Sequence, residues 1–234
     1  IKYFFEAFFV YLFFLIGKLI GLSLSRKFFS FIFKKIGPII RSNNILNKNL
    51  LNFSNELSDK EKKEIKLNMW SNYGMTFIEY IFLNNLRKER SHIDIEGKNI
   101  LHQIYKNNKP VIFISGHFAN FELMSMEITK NKINLATIYR PLNNFFLNPF
   151  MEYLRKKYVC KNQIKKGRKG VKECVEYIKR NYSIALMVDQ RVSEGEKIKF
   201  FDKDAFTTTL PGQLALKYNL DIVPIFIERK NNNL

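Results

Sequence analysis

The sequence predicts an α/β fold, with a mainly parallel sheet flanked by helices and an N-terminal helix that anchors the chain to a membrane. Short apolar runs alternate with amphipathic stretches between about residues 92 and 227, as strands joined by helices do. The first 24 residues are mostly apolar and rich in Phe. A chain of 234 residues is also long enough to bury a sizeable core.

The N-terminal segment, residues 1–40, is predicted to be a transmembrane or interfacial helical anchor. Between Ala7 and Leu24 the only charged residue is Lys18, and a stretch of this length is at the lower limit for a helix that crosses a bilayer. Basic residues follow at once, so the positive-inside rule places the rest of the chain in the cytoplasm. The stretch 28–40 mixes Phe and Ile with Lys, as interfacial helices do. A buried helical hairpin in a soluble protein is the alternative.

Residues 41–234 are predicted to form a second domain. Ser58 and Glu61 have the spacing of a capping box, so a helix is expected from there to about Asn84. Strands are then expected at 92–95, 111–115, 135–139, 183–188, 198–201 and 222–227. Helices are expected at 98–105, 118–129, 145–156, 170–179 and 208–218. The chain begins with Ile and stops in a polar tail, which predicts a fragment or an incomplete gene model, truncated at the C-terminus.

One motif suggests chemistry at the end of the strand predicted at 111–115. His117 leaves that strand five residues before Glu122, and a carboxylate that meets a histidine fixes its tautomer and stabilises the imidazolium. Ligands of such sheets bind at the carboxyl ends of the strands, where His117, Arg140 and Asp189 each follow a predicted strand. The pattern therefore predicts that His117 is a general base oriented by Glu122, acting on a hydroxyl that the substrate supplies.

Several further segments accompany this motif in a fixed order. They read SGHFANFE at 115–122, YRPLNN at 139–144, DQ at 189–190, FF at 200–201, TTT at 207–209 and VPIFIER at 223–229. Over nearly the whole chain this set resembles the lipid A biosynthesis acyltransferases, the lauroyl and myristoyl transferases of Gram-negative inner membranes. One departure is Asp202, which follows the FF pair where that family usually has Gly.

The resemblance implies a glycerolipid-acyltransferase-like fold and the transfer of a fatty acyl chain from acyl carrier protein to a hydroxyl of a lipid A precursor. It implies a bacterial inner-membrane location with the catalytic domain, residues 41–234, on the cytoplasmic side. The family's catalytic His and acid fall on His117 and Glu122, an Arg on Arg155 and an Asp on Asp189. Arg155, with Arg140 as second choice, is expected to stabilise developing charge or to hold a lipid phosphate.

Asp189 is expected either to order an arginine or to accept a hydrogen bond from the substrate. The alternative for both Arg155 and Asp189 is a structural role, in a salt bridge that stabilises the site and takes no part in the reaction. The residues indicate no cofactor and no metal, since Cys160 and Cys174 lack the spacing of metal ligands. No structural disulfide is expected between them.

The net charge of +18 predicts attraction to acidic partners. Under the resemblance these are an acyl-acyl carrier protein donor, a lipid A precursor as acceptor and anionic membrane lipids. An acyltransferase for a lysophospholipid or a glycolipid is the nearest alternative. The phospholipid enzymes usually carry Asp in the His motif and a PEG segment, whereas Glu122 and Asp189-Gln190 stand here, which favours lipid A.

The alternative from a different functional class is a basic, non-enzymatic module that binds nucleic acid. The basic residues are scattered and form no recognised motif, and such a module has no need of an apolar N-terminus. No nucleic acid is therefore expected among the partners.

Overall fold

The computed structural model describes residues 1–41, 43–88, 93–192 and 195–230. The helices are α1 (Lys2–Ile20), α2 (Leu22–Ile40), α3 (Asn43–Phe53), α4 (Asp59–Glu79), α5 (Leu83–Lys88), α6 (Lys98–Asn107), α7 (Glu122–Lys130), α8 (Asn148–Leu154), α9 (Arg168–Lys179) and α10 (Leu210–Tyr218). The strands are β1 (Ile112–Ser115), β2 (Leu135–Tyr139), β3 (Asn162–Lys165), β4 (Ser183–Met187), β5 (Glu196–Phe200), β6 (Lys203–Thr207) and β7 (Ile222–Pro224). A 3₁₀ turn follows α4 at Tyr80–Phe82, and a π-helical turn follows α8 at Arg155–Val159.

Five strands form one sheet in the order β3-β2-β4-β1-β7. All four pairings are parallel, and the prediction of an α/β fold with a mainly parallel sheet is confirmed. Because β4 lies between β2 and β1, the loops that follow these three strands leave the same edge side by side. Ser115, the last residue of β1, is in register with Met187 at the end of β4.

The core of the sheet consists of side chains from strands and helices that are almost fully buried. These are Ile112, Ala136, Ile164, Cys174, Ile178, Ile184, Leu186 and Leu214. Burial of each large aliphatic side chain contributes about 1.5–3 kcal/mol. Such continuous apolar strands are typical of parallel sheets covered by helices on both faces.

The chain divides into two compact units. The first comprises Ile1–Ala7, Leu83–Glu196 and Phe206–Leu234 and contains the five-stranded sheet. The second comprises Phe8–Phe82 and Lys197–Ala205.

In the second unit, α2 and α4 pack closely together. A Cβ atom on Gly74 of α4 would lie 2.3 Å from the Phe29 carbonyl oxygen of α2, so only glycine permits this approach. Arg26 Nε donates to Glu79 Oε1 at 2.7 Å, and the two side chains are 8% and 0% exposed. Phe29 is fully buried among other aromatic rings.

Most predicted elements form at their expected places, and the capping box is confirmed. The Ser58 hydroxyl accepts a hydrogen bond from the Glu61 N–H at 3.3 Å, and Glu61 Oε2 accepts one from the Ser58 N–H at 2.8 Å. The helix that starts there ends at Glu79 and continues as the 3₁₀ turn and α5. The N-terminal apolar segment is helical as predicted, and α1 is long and apolar enough to cross a membrane by length and composition.

Two expectations differ from the structure, at 118–129 and at 92–95. The helix predicted at 118–129 begins only at Glu122, because 116–121 form a turn in which Ala119 has a φ of 37°. Residues 93–95 of the strand predicted at 92–95 form no strand, and His92 lies outside the described residues. The strand predicted at 198–201 forms as β5 and pairs with β6 in a separate two-stranded sheet. Its connecting residues, Phe201 and Asp202, both have positive φ, as a tight hairpin turn requires.

Candidate active site

The candidate site lies where β1 and β4 end. His117 stands two residues after β1, and Asp189 stands two residues after β4. The ladder between these strands extends past the last paired residues, since the Val188 N–H donates to the Ser115 carbonyl oxygen at 2.8 Å. Strand adjacency therefore brings together two side chains that are 72 residues apart in sequence.

Asp189 holds His117 through both of its carboxylate oxygens. The imidazole Nδ1 lies 2.8 Å from Oδ1, and the backbone N–H of His117 donates to Oδ2 at 2.7 Å. The Phe121 ring packs edge-on against the imidazole, with 4.7 Å between the ring centroids. A side chain at Gly116 would place its Cβ 3.2 Å from Asp189 Oδ2 and 2.9 Å from the Phe118 ring. The glycine therefore leaves room for the pair.

The partner predicted for the imidazole is corrected by this geometry. The sequence assigned the orientation of His117 to Glu122, but the carboxylate at Nδ1 is that of Asp189. Glu122 is the buried first residue of α7, and its Oε1 accepts a hydrogen bond from Arg155 Nε at 2.7 Å. Asp189, which the sequence expected either to order an arginine or to accept a hydrogen bond from the substrate, binds His117 through both of its oxygens.

Glu122 and Arg155 form a nearly buried ion pair, with side chains 8% and 12% exposed. Charges removed from water to this extent require such a partner. The position of Glu122 in the first turn of α7 adds a favourable interaction with the helix dipole. Arg155 begins the π-helical turn that follows α8. The pair therefore joins α7 to the segment after α8.

Tyr139 and Glu152 extend this network, and sequence reasoning missed both. The Arg155 guanidinium lies 5.9 Å from the centre of the Tyr139 ring. The Tyr139 hydroxyl donates to Glu152 Oε1 at 2.5 Å, and the Asn148 amide donates to the same oxygen at 2.9 Å. Burial, and then Glu152, raises the pKa of Tyr139, while the Tyr139 hydroxyl lowers the pKa of Glu152. The position of Tyr139 at the end of a predicted strand was a signal in the sequence that could have marked it as a site residue.

Arg140 follows β2 directly and is exposed. It leaves the sheet at the same edge as His117 and Asp189, because β2 is the other neighbour of β4. Of the five residues singled out by the sequence, the structure pairs His117 with Asp189 and Glu122 with Arg155.

Within the described ranges, no group of three or more His, Cys, Asp and Glu side chains is placed to hold a metal ion. Cys160 and Cys174 are free, buried thiols. Burial raises the pKa of Cys160 to about 11 and that of Cys174 to about 12. Both thiols are therefore unsuited to act as nucleophiles at neutral pH.

The chemistry available to this arrangement is proton transfer at a histidine. A carboxylate at Nδ1 favours the tautomer with its proton on that nitrogen, so that Nε2 is the basic atom. The His117 side chain is 34% exposed, so a substrate in solution or in a membrane can reach the ring. The five singled-out residues include no Ser or Cys nucleophile, so a hydroxyl for His117 to activate would come from a bound substrate.

Comparison with known proteins finds one family whose model matches the chain. The family model described as bacterial lipid A biosynthesis acyltransferase matches residues 1–233. No curated protein matches the chain. Because the match extends over nearly all 234 residues, the chain belongs to the lipid A biosynthesis acyltransferase family, and the resemblance noted in its motifs is confirmed.

Proposed function

We propose that this member of the lipid A biosynthesis acyltransferases moves a fatty acyl chain from acyl carrier protein to a hydroxyl of a lipid A precursor. Membership of the family supports an acyltransferase of lipid A synthesis. The identity of the donor and the use of a hydroxyl acceptor are our proposals. The observation that carries the mechanism is the contact of 2.8 Å between His117 Nδ1 and Asp189 Oδ1.

In the proposed reaction, Nε2 of His117 removes the proton of the acceptor hydroxyl as its oxygen attacks the thioester carbonyl carbon. The tetrahedral intermediate then collapses, the C–S bond breaks, and an ester is formed. The departing thiolate of the carrier's pantetheine arm takes the proton from the imidazolium. Asp189 stabilises that imidazolium while it exists, as the carboxylate of a Ser-His-Asp triad does.

Glu122 and Arg155 support the site from the side in this proposal. Their nearly buried ion pair fixes the start of α7, which follows the turn that carries His117. Arg155 remains the first choice for stabilising the oxyanion or holding a phosphate. Arg140 is the second choice, and its exposure at the end of β2 supports a direct contact with a phosphate of the acceptor.

We place the protein at the bacterial inner membrane with its site on the cytoplasmic side. The apolar α1 supports an association with membrane, and acyl carrier protein, the proposed donor, is a cytoplasmic protein. The acceptor is a lipid, so a site at the membrane surface gives it access to both substrates.

The test is lipid A mass spectrometry in a host that lacks its own late acyltransferase. The full-length gene is expected to add one acyl chain to the lipid A of that host. His117→Ala is expected to lower turnover with purified acyl-acyl carrier protein by roughly 10²–10⁴-fold, the usual contribution of a general base.

The matched control is His102→Ala, since His102 is an exposed histidine on α6, and it is expected to retain full activity. Transfer at near wild-type rates by His117→Ala would remove the base from the mechanism. Acylation of phospholipid in place of lipid A would favour the lysophospholipid alternative.

A further inference from the structure

A strongly basic surface lies at the end of the sheet that β3 forms. Between residues 156 and 172 the chain carries eight Lys and Arg side chains and no Asp or Glu. Six of the eight, all of them exposed, make up what we call the basic surface: Lys156, Lys165, Lys166, Arg168, Lys169 and Lys172. So much charge of one sign over so few residues attracts a partner of the opposite charge.

The pairing of β3 with β2 places this surface at the edge of the sheet that carries His117. The two strands are parallel, so their carboxyl ends lie side by side. The ladder continues past the end of β3, because the Lys166 N–H donates to the Tyr139 carbonyl oxygen at 2.9 Å. Lys166 is therefore a neighbour of the residue that ends β2 and borders the candidate site.

Tight packing brings the start of α9 to the same place. A Cβ atom on Gly170 would lie 2.1 Å from the Lys165 carbonyl oxygen, so the first turn of α9 contacts the end of β3. Arg168 and Lys169 are in that turn, and Lys172 follows one turn later on the same face of the helix. These cations therefore belong to one surface.

Neighbouring carboxylates neutralise only part of this charge. Glu152 lies between Lys156 and Lys165, and its oxygens are 3.8 and 4.0 Å from their ammonium nitrogens. The two lysine side chains are still 52% and 66% exposed, so both remain accessible to a partner. Glu173 is exposed on α9. The six cations outweigh these two carboxylates.

We propose that the basic surface is the docking site for the acidic body of acyl carrier protein, a proposal that rests on the donor proposed above. Two strands, β2 and β4, separate β3 from β1, the strand that precedes His117. With about 4.8 Å between neighbouring strands, β3 lies roughly 14 Å from β1. A carrier protein delivers its thioester at the end of a long pantetheine arm, so its body docks at a distance from the reacting carbon. The arm would then run along the carboxyl ends of β2 and β4 to Nε2 of His117.

A lipid surface fits the basic surface less well. Basic segments also attract anionic lipid, but interfacial segments combine their charge with exposed apolar side chains that enter the membrane. Among residues 156–180, all of which the structure describes, Val171 is the only large apolar side chain that is exposed. The exposed Phe145 and Phe146 belong to the loop after β2. The basic surface therefore has the polar character of a rim that guides a soluble protein.

Neutralising the basic surface should weaken the encounter with the carrier protein and leave the chemical step intact. Lys166→Gln, Lys169→Gln and Lys172→Gln are combined in the full-length protein, and kcat/KM is measured in detergent with the acceptor held constant. With acyl-acyl carrier protein, kcat/KM is expected to fall about tenfold through KM, since exposed charges at an interface act mainly on association. With a small neutral acyl thioester it is expected to stay at the wild-type value, which also shows that the variant is folded.

The matched control removes the same number of charges from the opposite edge of the sheet. Lys106→Gln, Lys109→Gln and Lys132→Gln change exposed lysines that precede β1 and β2. This triple variant is expected to keep kcat/KM close to that of wild type with both donors. Equal losses in the two triple variants, or no loss in either, would overturn the docking site. A loss with both donors in the first variant would overturn it too, because the basic surface would then serve the acceptor or the membrane.

Failure of the proposed donor looks different in the same assay. A wild-type protein that accepts acyl chains from the small thioester and not from acyl carrier protein would refute the donor, and the docking site with it. A wild-type protein that uses acyl carrier protein, beside a basic-surface variant with the same kcat/KM, would refute the docking site alone.

Discussion

At the scale of single residues, two carboxylates compete for the role of orienting His117. The structure gives Asp189 the contact with the imidazole and Glu122 the contact with Arg155. We expect Asp189→Asn to lower kcat by about 10²–10⁴-fold with little loss of stability, because the imidazolium loses its counter-charge. Glu122→Gln is expected to lower the free energy of unfolding by about 3–5 kcal/mol, because it removes the charge of the Glu122 carboxylate that pairs with Arg155 in a nearly buried place.

Rates with acyl-acyl carrier protein and urea unfolding curves separate these two roles. The assignment would be wrong if Asp189→Asn kept a near wild-type rate while Glu122→Gln was stable but inactive. Glu122 would then be the carboxylate that acts with His117.

The Tyr139–Glu152 hydrogen bond leads to a prediction about pH. Because this bond lowers the pKa of Glu152 in the folded protein, it contributes stability that is present above the unfolded pKa of Glu, about 4.3, and is lost as the pH falls through the lower folded value. Tyr139→Phe is expected to reduce the free energy of unfolding by about 1.5–3 kcal/mol at pH 7. The difference from wild type should shrink below about pH 4.3.

Urea unfolding of both proteins between pH 3 and pH 7 measures this difference. Tyr153→Phe is the matched control, since Tyr153 is exposed and its hydroxyl accepts from the exposed Lys157. If the loss in free energy of unfolding caused by Tyr139→Phe stayed constant from pH 3 to pH 7, the stabilisation would not come from the hydrogen bond to ionised Glu152.

At the scale of elements, sequence patterns located the segments that carry their own signal. The apolar run 135–139 is β2 as predicted, and the capping box starts α4. β3 was missed because it is a polar edge strand with Ile164 as its only buried residue. The late start of α7 was missed because Asp189, distant in sequence, binds the turn before it.

The order of the strands, β4 between β2 and β1, explains the error in the candidate site. The sequence placed His117, Arg140 and Asp189 at one edge but did not reveal which strands are neighbours. Sequence proximity favoured Glu122 as the partner of the histidine, whereas strand adjacency selects Asp189. Nonlocal pairing of this kind has no local signal in the residues themselves.

The packing of α2 on α4 leads to a prediction for Gly74, with Gly212 of α10 as the control. Gly74→Ala places a methyl group 2.3 Å from a backbone carbonyl oxygen, which cannot move without shifting α2. We expect this overpacking to lower the free energy of unfolding by about 1–3 kcal/mol. Gly212→Ala in α10 meets nothing within 4 Å, so we expect it to gain about 0.5–1 kcal/mol from helix propensity.

Both changes add the same methyl group to a helix, so the propensity gain is common to them. Urea unfolding in detergent compares the two variants with wild type. Equal stabilisation by both would show that α2 and α4 do not approach each other as closely as the structure describes.

At the scale of the whole molecule, the net charge of +18 is the main property that neither the fold nor the site explains. Anionic lipid headgroups, the phosphates of a lipid A precursor and an acidic carrier protein would each be attracted by it. The sequence predicted this attraction but could not assign it, because charge acts over distance and does not identify a partner. Enzyme kinetics can show which partner the positive charge attracts, because the donor, the acceptor and the membrane each affect a different step.

If the charge steers the donor, salt should act on the encounter with acyl carrier protein. Charges in solution are screened beyond about 8 Å at physiological ionic strength, so raising the salt should lower kcat/KM for acyl-acyl carrier protein and leave kcat nearly unchanged. A small neutral acyl thioester gains nothing from steering, and its kcat/KM should be almost independent of salt. The comparison is made in detergent that holds the acceptor constant, so that any effect on the lipid cancels between the two donors. Equal slopes would contradict the steering of the donor, and the basic surface would then serve the membrane or the acceptor phosphates.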